Sequence, residues 1–138
     1  MATSLLSPAS AAVYGALNVA SLLALAPGGV YDDVPQMPTY PHVFFEVRER
    51  DARGLGTGAL PEIELRVSAV SNYEGMREAQ LIIAKAIELL RDQSLTMTGY
   101  EQAGRVFYDE TVKLSDEERN GVKVHELVAK FRIYGKEL

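Results

Sequence analysis

The most constraining feature of this sequence is a strict alternation of apolar and polar side chains in the run EIELRVSA, residues 62–69. Its apolar members are Ile63, Leu65, Val67 and Ala69, and its polar members are Glu62, Glu64, Arg66 and Ser68. Successive side chains of a β-strand point to opposite faces of the sheet, so this strand has one dry face and one wet face. The chain must therefore supply a second layer that covers one face of a sheet.

Other runs predict the remaining strands and the covering helices. Strands are predicted in HVFFEVRER from His42, around Leu95 to Met97, from Arg105 to Leu114 and from Val122 to Tyr134. Ser71 and Glu74 form a capping-box pattern that opens a helix ending near Asp92. The core stripe of that helix is predicted to be Met76, Ala79, Ile83, Ile87 and Leu90. The polar run SDEERNG before the last strand is predicted to be a turn.

A first helix is predicted from Ser7-Pro8, where serine would be the N-cap, to about Leu25. The Pro27-Gly28-Gly29 run would end it. No charged side chain precedes Asp32, but the segment lacks the basic start of a signal peptide, and polar interruptions argue against a membrane span. Because small apolar residues occur all round this helix, we expect it to be covered on more than one side.

The predicted order α, β, β, α, β, β, β indicates a single α+β domain over residues 1–138. It would be a largely antiparallel β-sheet with two helices packed on one face. The glycine-bearing segment at about residues 49–59 is predicted to form a flexible hairpin.

Three prolines, Pro35, Pro38 and Pro41, stiffen the segment that leads into the strand at His42. Each residue before a proline is driven to extended geometry. An arm that is already extended loses less entropy when it docks, so we expect it to cross the sheet edge or to reach a neighbouring subunit.

The sequence carries little that indicates catalysis. There is no cysteine, the formal net charge is −5, and the two histidines, His42 and His125, have no ligand spacing around them. The acidic pair Asp32-Asp33 is most simply part of a turn. We predict no enzyme, no cofactor and no metal site. Arg48, Arg50 and Arg53 form a small basic patch that is either solubilising or meets an acidic partner.

The whole arrangement resembles the tail-terminator, or tail-completion, proteins of long-tailed bacteriophages and gene-transfer particles. The resemblance lies in the run VYDDVP, the Pro41-His42 pair before a strand, and Gly75 before an apolar helix from Met76 to Leu90. The doubled acid and the extra Pro38 depart from the family pattern.

The resemblance implies a structural protein of the virion, assembled in the host cytoplasm, without membrane contact. Its copies would form a homohexameric ring on the head-proximal end of the tail tube, stop polymerisation of the major tail protein and dock the head connector. DNA would pass through the ring without sequence-specific binding. A head-side connector or neck protein is an alternative, and a small ligand-binding α+β domain is another.

In this reading, two groups of residues are candidates for contacts. The candidates for the subunit interface are Val13, Leu17, Tyr31, Asp32, Asp33, Pro35 and Pro38. The candidates for contact with the tail or the connector are Arg48, Arg50, Arg53 and Leu55.

Overall fold

A computed structural model describes residues 6–51, 61–73, 76–102, 104–114, 117–119 and 122–137. These residues contain three helices, α1 (Leu6–Leu17), α2 (Ala20–Leu23) and α3 (Arg77–Leu90). They also contain seven strands: β1 (Val30–Tyr31), β2 (His42–Asp51), β3 (Pro61–Ser71), β4 (Tyr100–Gln102), β5 (Phe107–Lys113), β6 (Glu117–Arg119) and β7 (Val122–Glu137).

The strands form one mixed, mostly antiparallel sheet in the order β1-β2-β3-β7. β7 pairs with β3 along one side, and with β6, β5 and β4 in turn along the other. Only the short β1 runs parallel to its neighbour, β2. The α+β class and the largely antiparallel sheet are therefore confirmed.

The core lies between the helices and one face of this sheet. The alternating residues of β3 that were predicted to be dry, Ile63, Leu65, Val67 and Ala69, are all completely buried. Alternate residues of β7, from Leu127 to Ile133, continue the same layer. Two helical stripes cover it: Ala9, Val13 and Leu17 from α1, and Ala79, Ile82, Ile83, Ala86 and Leu90 from α3. One apolar cluster therefore holds both layers together.

The prediction of a single first helix is wrong, because the chain breaks between α1 and α2. Val19 is extended, with φ −125° and ψ 156°. Leu17 and Leu22 are both completely buried. On one continuous helix they would lie about 140° apart around the axis, at about 100° per residue, and could not both face the sheet. Ser7 also lies inside α1 and is not its N-cap.

The start of the next helix is also corrected. α3 begins at Arg77, after Met76, which makes no side-chain capping bond. Ser71 Oγ instead accepts a hydrogen bond from the Tyr73 N–H at 3.0 Å and donates to Glu78 Oε1 at 2.6 Å. Glu74, the other half of the predicted capping box, lies outside the described residues. The observed helix is therefore shorter than the predicted one at both ends.

Three strand predictions change. The predicted strand at Leu95 to Met97 is only an isolated bridge from Met97 to Tyr100, and the strand β4 follows it. Part of the acidic turn before β7 is a strand, β6. β1 was not predicted, because two residues are too short to show a period of two.

Candidate functional site

The two histidines do not converge on a catalytic centre. His42 is paired in register with Val70, and His125 with the next residue, Ser71, so their side chains point to opposite faces of the sheet. His42 is buried among aromatic rings, with ring centroids 5.3 Å from Tyr40 and 6.1 Å from Tyr31. Within the described ranges, no cluster of three or more histidine or acidic side chains could hold a metal ion. No helix there is long and apolar enough to cross a membrane.

The proline-bearing segment, residues 32–41, forms a loop that is fixed at both ends; we call it the proline loop. The Gly28 N–H donates to the Pro41 carbonyl at 2.8 Å, and the Tyr31 hydroxyl donates to the Gly28 carbonyl at 2.5 Å. The loop leaves the sheet after β1 and returns at β2, so it begins and ends beside the same sheet edge.

The proline loop carries most of the predicted interface candidates. Asp32, Asp33 and Pro35 are exposed, while Tyr31 and Pro38 are half-buried. Sequence reasoning missed Met37, whose side chain is 85% exposed. Met37 could have been identified from the sequence, because it is an apolar residue between two prolines of a polar segment.

The other two interface candidates lie in the core. Val13 and Leu17 are completely buried against the chain's own sheet, so the exposed side of α1, with Leu6 and Tyr14, is what remains to meet a neighbour. Close to α2, a groove of about 340 Å³ is lined by Leu25, Tyr73 and Leu81, all at least 36% exposed. Sequence reasoning missed this groove because its walls come from two distant segments.

The face of the sheet opposite the helices, which we call the outer face, carries two of the three predicted basic residues, Arg48 and Arg50. Arg50 pairs with Glu64 at 2.6 Å and lies 3.9 Å from Glu62, and Arg48 lies 3.9 Å from Glu64. The side chains of Arg48 and Arg50 are 74% and 59% exposed. Arg53 and Leu55 lie outside the described residues.

A second group of ion pairs joins β7 to β5 on the outer face. Arg132 pairs with Asp109 through two nitrogens at 3.0 Å, and Lys130 lies 3.4 Å from Glu110. The hydrogen bond that Arg132 donates to Asp109 raises the pKa of Arg132 above its usual value, so this guanidinium stays charged. Burial raises the pKa of Tyr134, whose hydroxyl donates to Glu62 Oε1 at 3.1 Å. The part of the outer face around these residues is therefore a surface of cross-strand ion pairs.

The two edges of the sheet are formed by different strands. On one side β1 pairs only with Val43 and Phe44 of β2, and no other described strand pairs along the side of β2 that faces away from β3. On the other side, β5 pairs with β7 and has no second partner within the described part of the chain. Each copy therefore has two unlike surfaces at which the sheet could be extended.

Comparisons with known proteins identify a family and two solved structures that this chain resembles. The family model described as tail completion protein gp17 matches residues 11–135. A chain in the solved virion of a native gene transfer agent particle has a TM-score of 0.74 at 21% identity, covering 97% of this chain and 98% of that one. Another solved structure has a TM-score of 0.64 at 15% identity and covers 96% of each chain. These two likenesses show the fold. No curated protein matches significantly in sequence.

Proposed function

Because this chain belongs to the tail completion protein gp17 family, we propose that its copies form a hexameric ring that closes the head-proximal end of a phage tail tube. As a member of that family, it is a structural protein of the virion tail. The ring would stop addition of the major tail protein and present a surface to the head-completion or connector protein. The observation that carries this proposal is the family match over residues 11–135, which includes both sheet edges and most of the helical layer.

The architecture fits a ring. A cyclic ring with more than two copies needs two different patches on each subunit, because the contact is heterologous. The open β2 edge and the free β5 edge are two such patches on opposite sides of one sheet. The DNA that leaves the head would cross the centre of the ring. The formal net charge of −5 suits a passage that does not retain DNA, since like charges repel the phosphate backbone.

The direct test measures tube length. Purified tail tubes would be mixed with this protein and then with monomeric major tail protein, and their lengths measured by negative-stain microscopy. We expect the tubes to stop growing at one end, with a ring visible there. Continued growth at both ends would refute the capping role. Binding only to the portal end of heads would identify a head-side connector instead.

The hairpin between β2 and β3 offers a specific prediction about partner contact. Asp51 and Pro61 are opposite each other in register, so Asn-Gly can replace residues 52–60 and close a two-residue hairpin. This change removes Arg53 and Leu55. We expect the melting temperature to stay within a few degrees, because the entropy of closing a connection between two paired strands changes only slowly with its length, while joining of tubes to heads is lost.

A matched variant keeps the length of the hairpin and changes only its chemistry. Arg53→Glu combined with Leu55→Asp is expected to give the same loss of joining with the fold intact. If both variants join heads to tails normally, the hairpin is not a partner contact.

A further inference from the structure

We propose that the lateral contact of the ring is a β-sheet extension, in which the open edge of β2 on one copy pairs with the free edge of β5 on the next copy. This inference rests on the proposed ring and specifies which surfaces of the chain build it.

The first observation is the direction of the backbone of β2. The Val43 N–H donates to the Gly29 carbonyl at 2.9 Å, away from β3. The register between β2 and β3 is unbroken from His42 to Asp51, so the backbone groups of Val47 point the same way as those of Val43, away from β3. The pairing of β1 with β2 ends at Phe44, and no described strand pairs with β2 on that side at Val47. An unpaired strand edge of this kind is a ready template for a further strand.

The second observation is the space beside that edge. A cleft of about 400 Å³ is lined by Phe45, Glu46 and Val47 of β2, with Ser10 of α1 and Asp32 of the proline loop. The described residues therefore leave room at the point where β1 ends. Asp32, a predicted interface residue, lies at the border of this space.

The β5 edge, on the far side of the sheet, matches the open edge of β2 in length and in strand direction. β5 has seven residues, and residues 45–51 of β2 span the same number. The Leu114 N–H donates to the Glu126 carbonyl of β7 at 3.0 Å. The backbone groups of successive strand residues point to alternate sides, so those of Thr111, three residues earlier, point away from β7. Three antiparallel pairings join the strands β2, β3, β7 and β5 in that order. A β2 strand of a neighbour in the same orientation would therefore run antiparallel to β5.

The charges at the two edges indicate that the strand pairing with the open edge of β2 is β5 of another copy. The ion pairs of the outer face place Arg48 and Arg50 on β2 and Asp109 and Glu110 on β5, on the two strands that form the opposite edges of the sheet. A neighbour's β2 beside β5 would bring its two arginines to two acids, whereas two β5 edges would bring like charges together, which is destabilising. The charges therefore favour pairing of β5 with β2 over pairing of two β5 edges, and a contact between unlike edges is the head-to-tail contact that a ring requires.

The energy of the contact comes from more than these charges. Each exposed ion pair contributes only about 0–1 kcal/mol. Backbone hydrogen bonds and burial of the half-buried Val47 would supply most of the affinity, while the charges select which edge pairs with which.

The test uses two charge-reversed variants. Variant A, Arg48→Glu with Arg50→Glu, has two acidic edges, and variant B, Asp109→Lys with Glu110→Lys, has two basic edges. We expect the fraction of tubes carrying a ring to fall about tenfold or more for each variant alone. An equal mixture of A and B should restore rings, because every contact then joins an acidic edge to a basic one.

Rings formed by A alone and by B alone as well as by the unmodified protein would overturn the edge pairing while leaving the capping role standing. If the unmodified protein forms no ring on tubes, the proposed function itself fails. Whether the unmodified protein forms rings on tubes therefore distinguishes failure of the edge pairing from failure of the proposed function.

A second experiment, with a pair of introduced cysteines, tests the same contact if a charge-reversed variant does not fold. The chain has no cysteine of its own. Val47→Cys combined with Thr111→Cys should give a disulfide-linked ladder between copies on tail tubes under oxidation. The control, Val47→Cys with Glu88→Cys on the exposed side of α3, should stay monomeric on a denaturing gel. Equal ladders in both, or in neither, would overturn the proposal.

Discussion

Replacing Val13 with aspartate is expected to unfold most of the chain. Val13 is completely buried between α1 and the sheet. The substitution loses about 1.5–3 kcal/mol of apolar burial. It also places a carboxylate in the core without a partner, at a further cost of several kcal/mol. A domain of ordinary stability, about 5–15 kcal/mol, retains little after such a loss.

The measurement is the yield of soluble protein and its thermal unfolding by circular dichroism. The matched control is Tyr14→Asp, one residue further along the same helix, where the native side chain is 43% exposed. We expect the control to unfold within a few degrees of the unmodified protein. Equal melting temperatures for the two variants would show that α1 does not pack on the sheet through Val13.

The second large effect is expected from Gly28→Ala, at the base of the proline loop. An added Cβ would collide with the carbonyl oxygen of Thr39 and would lie 2.5 Å from that of Pro41. These are backbone atoms, and the loop cannot yield without losing the Gly28 N–H bond to Pro41 at 2.8 Å. Overpacking of this kind costs about 1–3 kcal/mol or more. We expect the melting temperature to fall by about 5 °C or more.

The control for this variant is Gly15→Ala, in α1. An added Cβ there meets no atom within 4 Å. Alanine is a better helix former than glycine, so we expect a gain of about 0.5–1 kcal/mol. The two substitutions add the same methyl group and should shift thermal unfolding in opposite directions. A loss for Gly28→Ala no larger than the change for Gly15→Ala would show that the proline loop is not clamped at Gly28.

The proline loop shows where sequence reasoning stops. Three prolines correctly marked residues 32–41 as a restrained segment, because each one fixes its own φ and restricts the residue before it. They could not reveal that the Gly28 N–H and the Pro41 carbonyl join the two ends of the loop. That bond depends on the parallel pairing of β1 with β2, which no local pattern encodes.

The helices show the same division. The stripe of α3 is buried at Ala79, Ile83 and Leu90, as the spacing predicts, because side chains three and four residues apart share one helix face. The break at Val19 was not visible, because the run from Ser7 to Leu25 is apolar throughout. Only the need to bury both Leu17 and Leu22 against one sheet explains why the helix is interrupted.

The sequence by itself determined the α+β class, the buried face of β3 and the absence of cysteine chemistry, although Glu62 and Ser68 on the face predicted to be wet are also buried. These follow from the period of side chains along one segment, which is a local property of the backbone. The tertiary structure alone decided which strands are neighbours, and therefore which edges stay open. Arg48 and Asp109 come to opposite sides of one sheet only because β3 and β7 pair between them. Such pairing depends on contacts between residues far apart in the chain, and many registers are compatible with the same alternation.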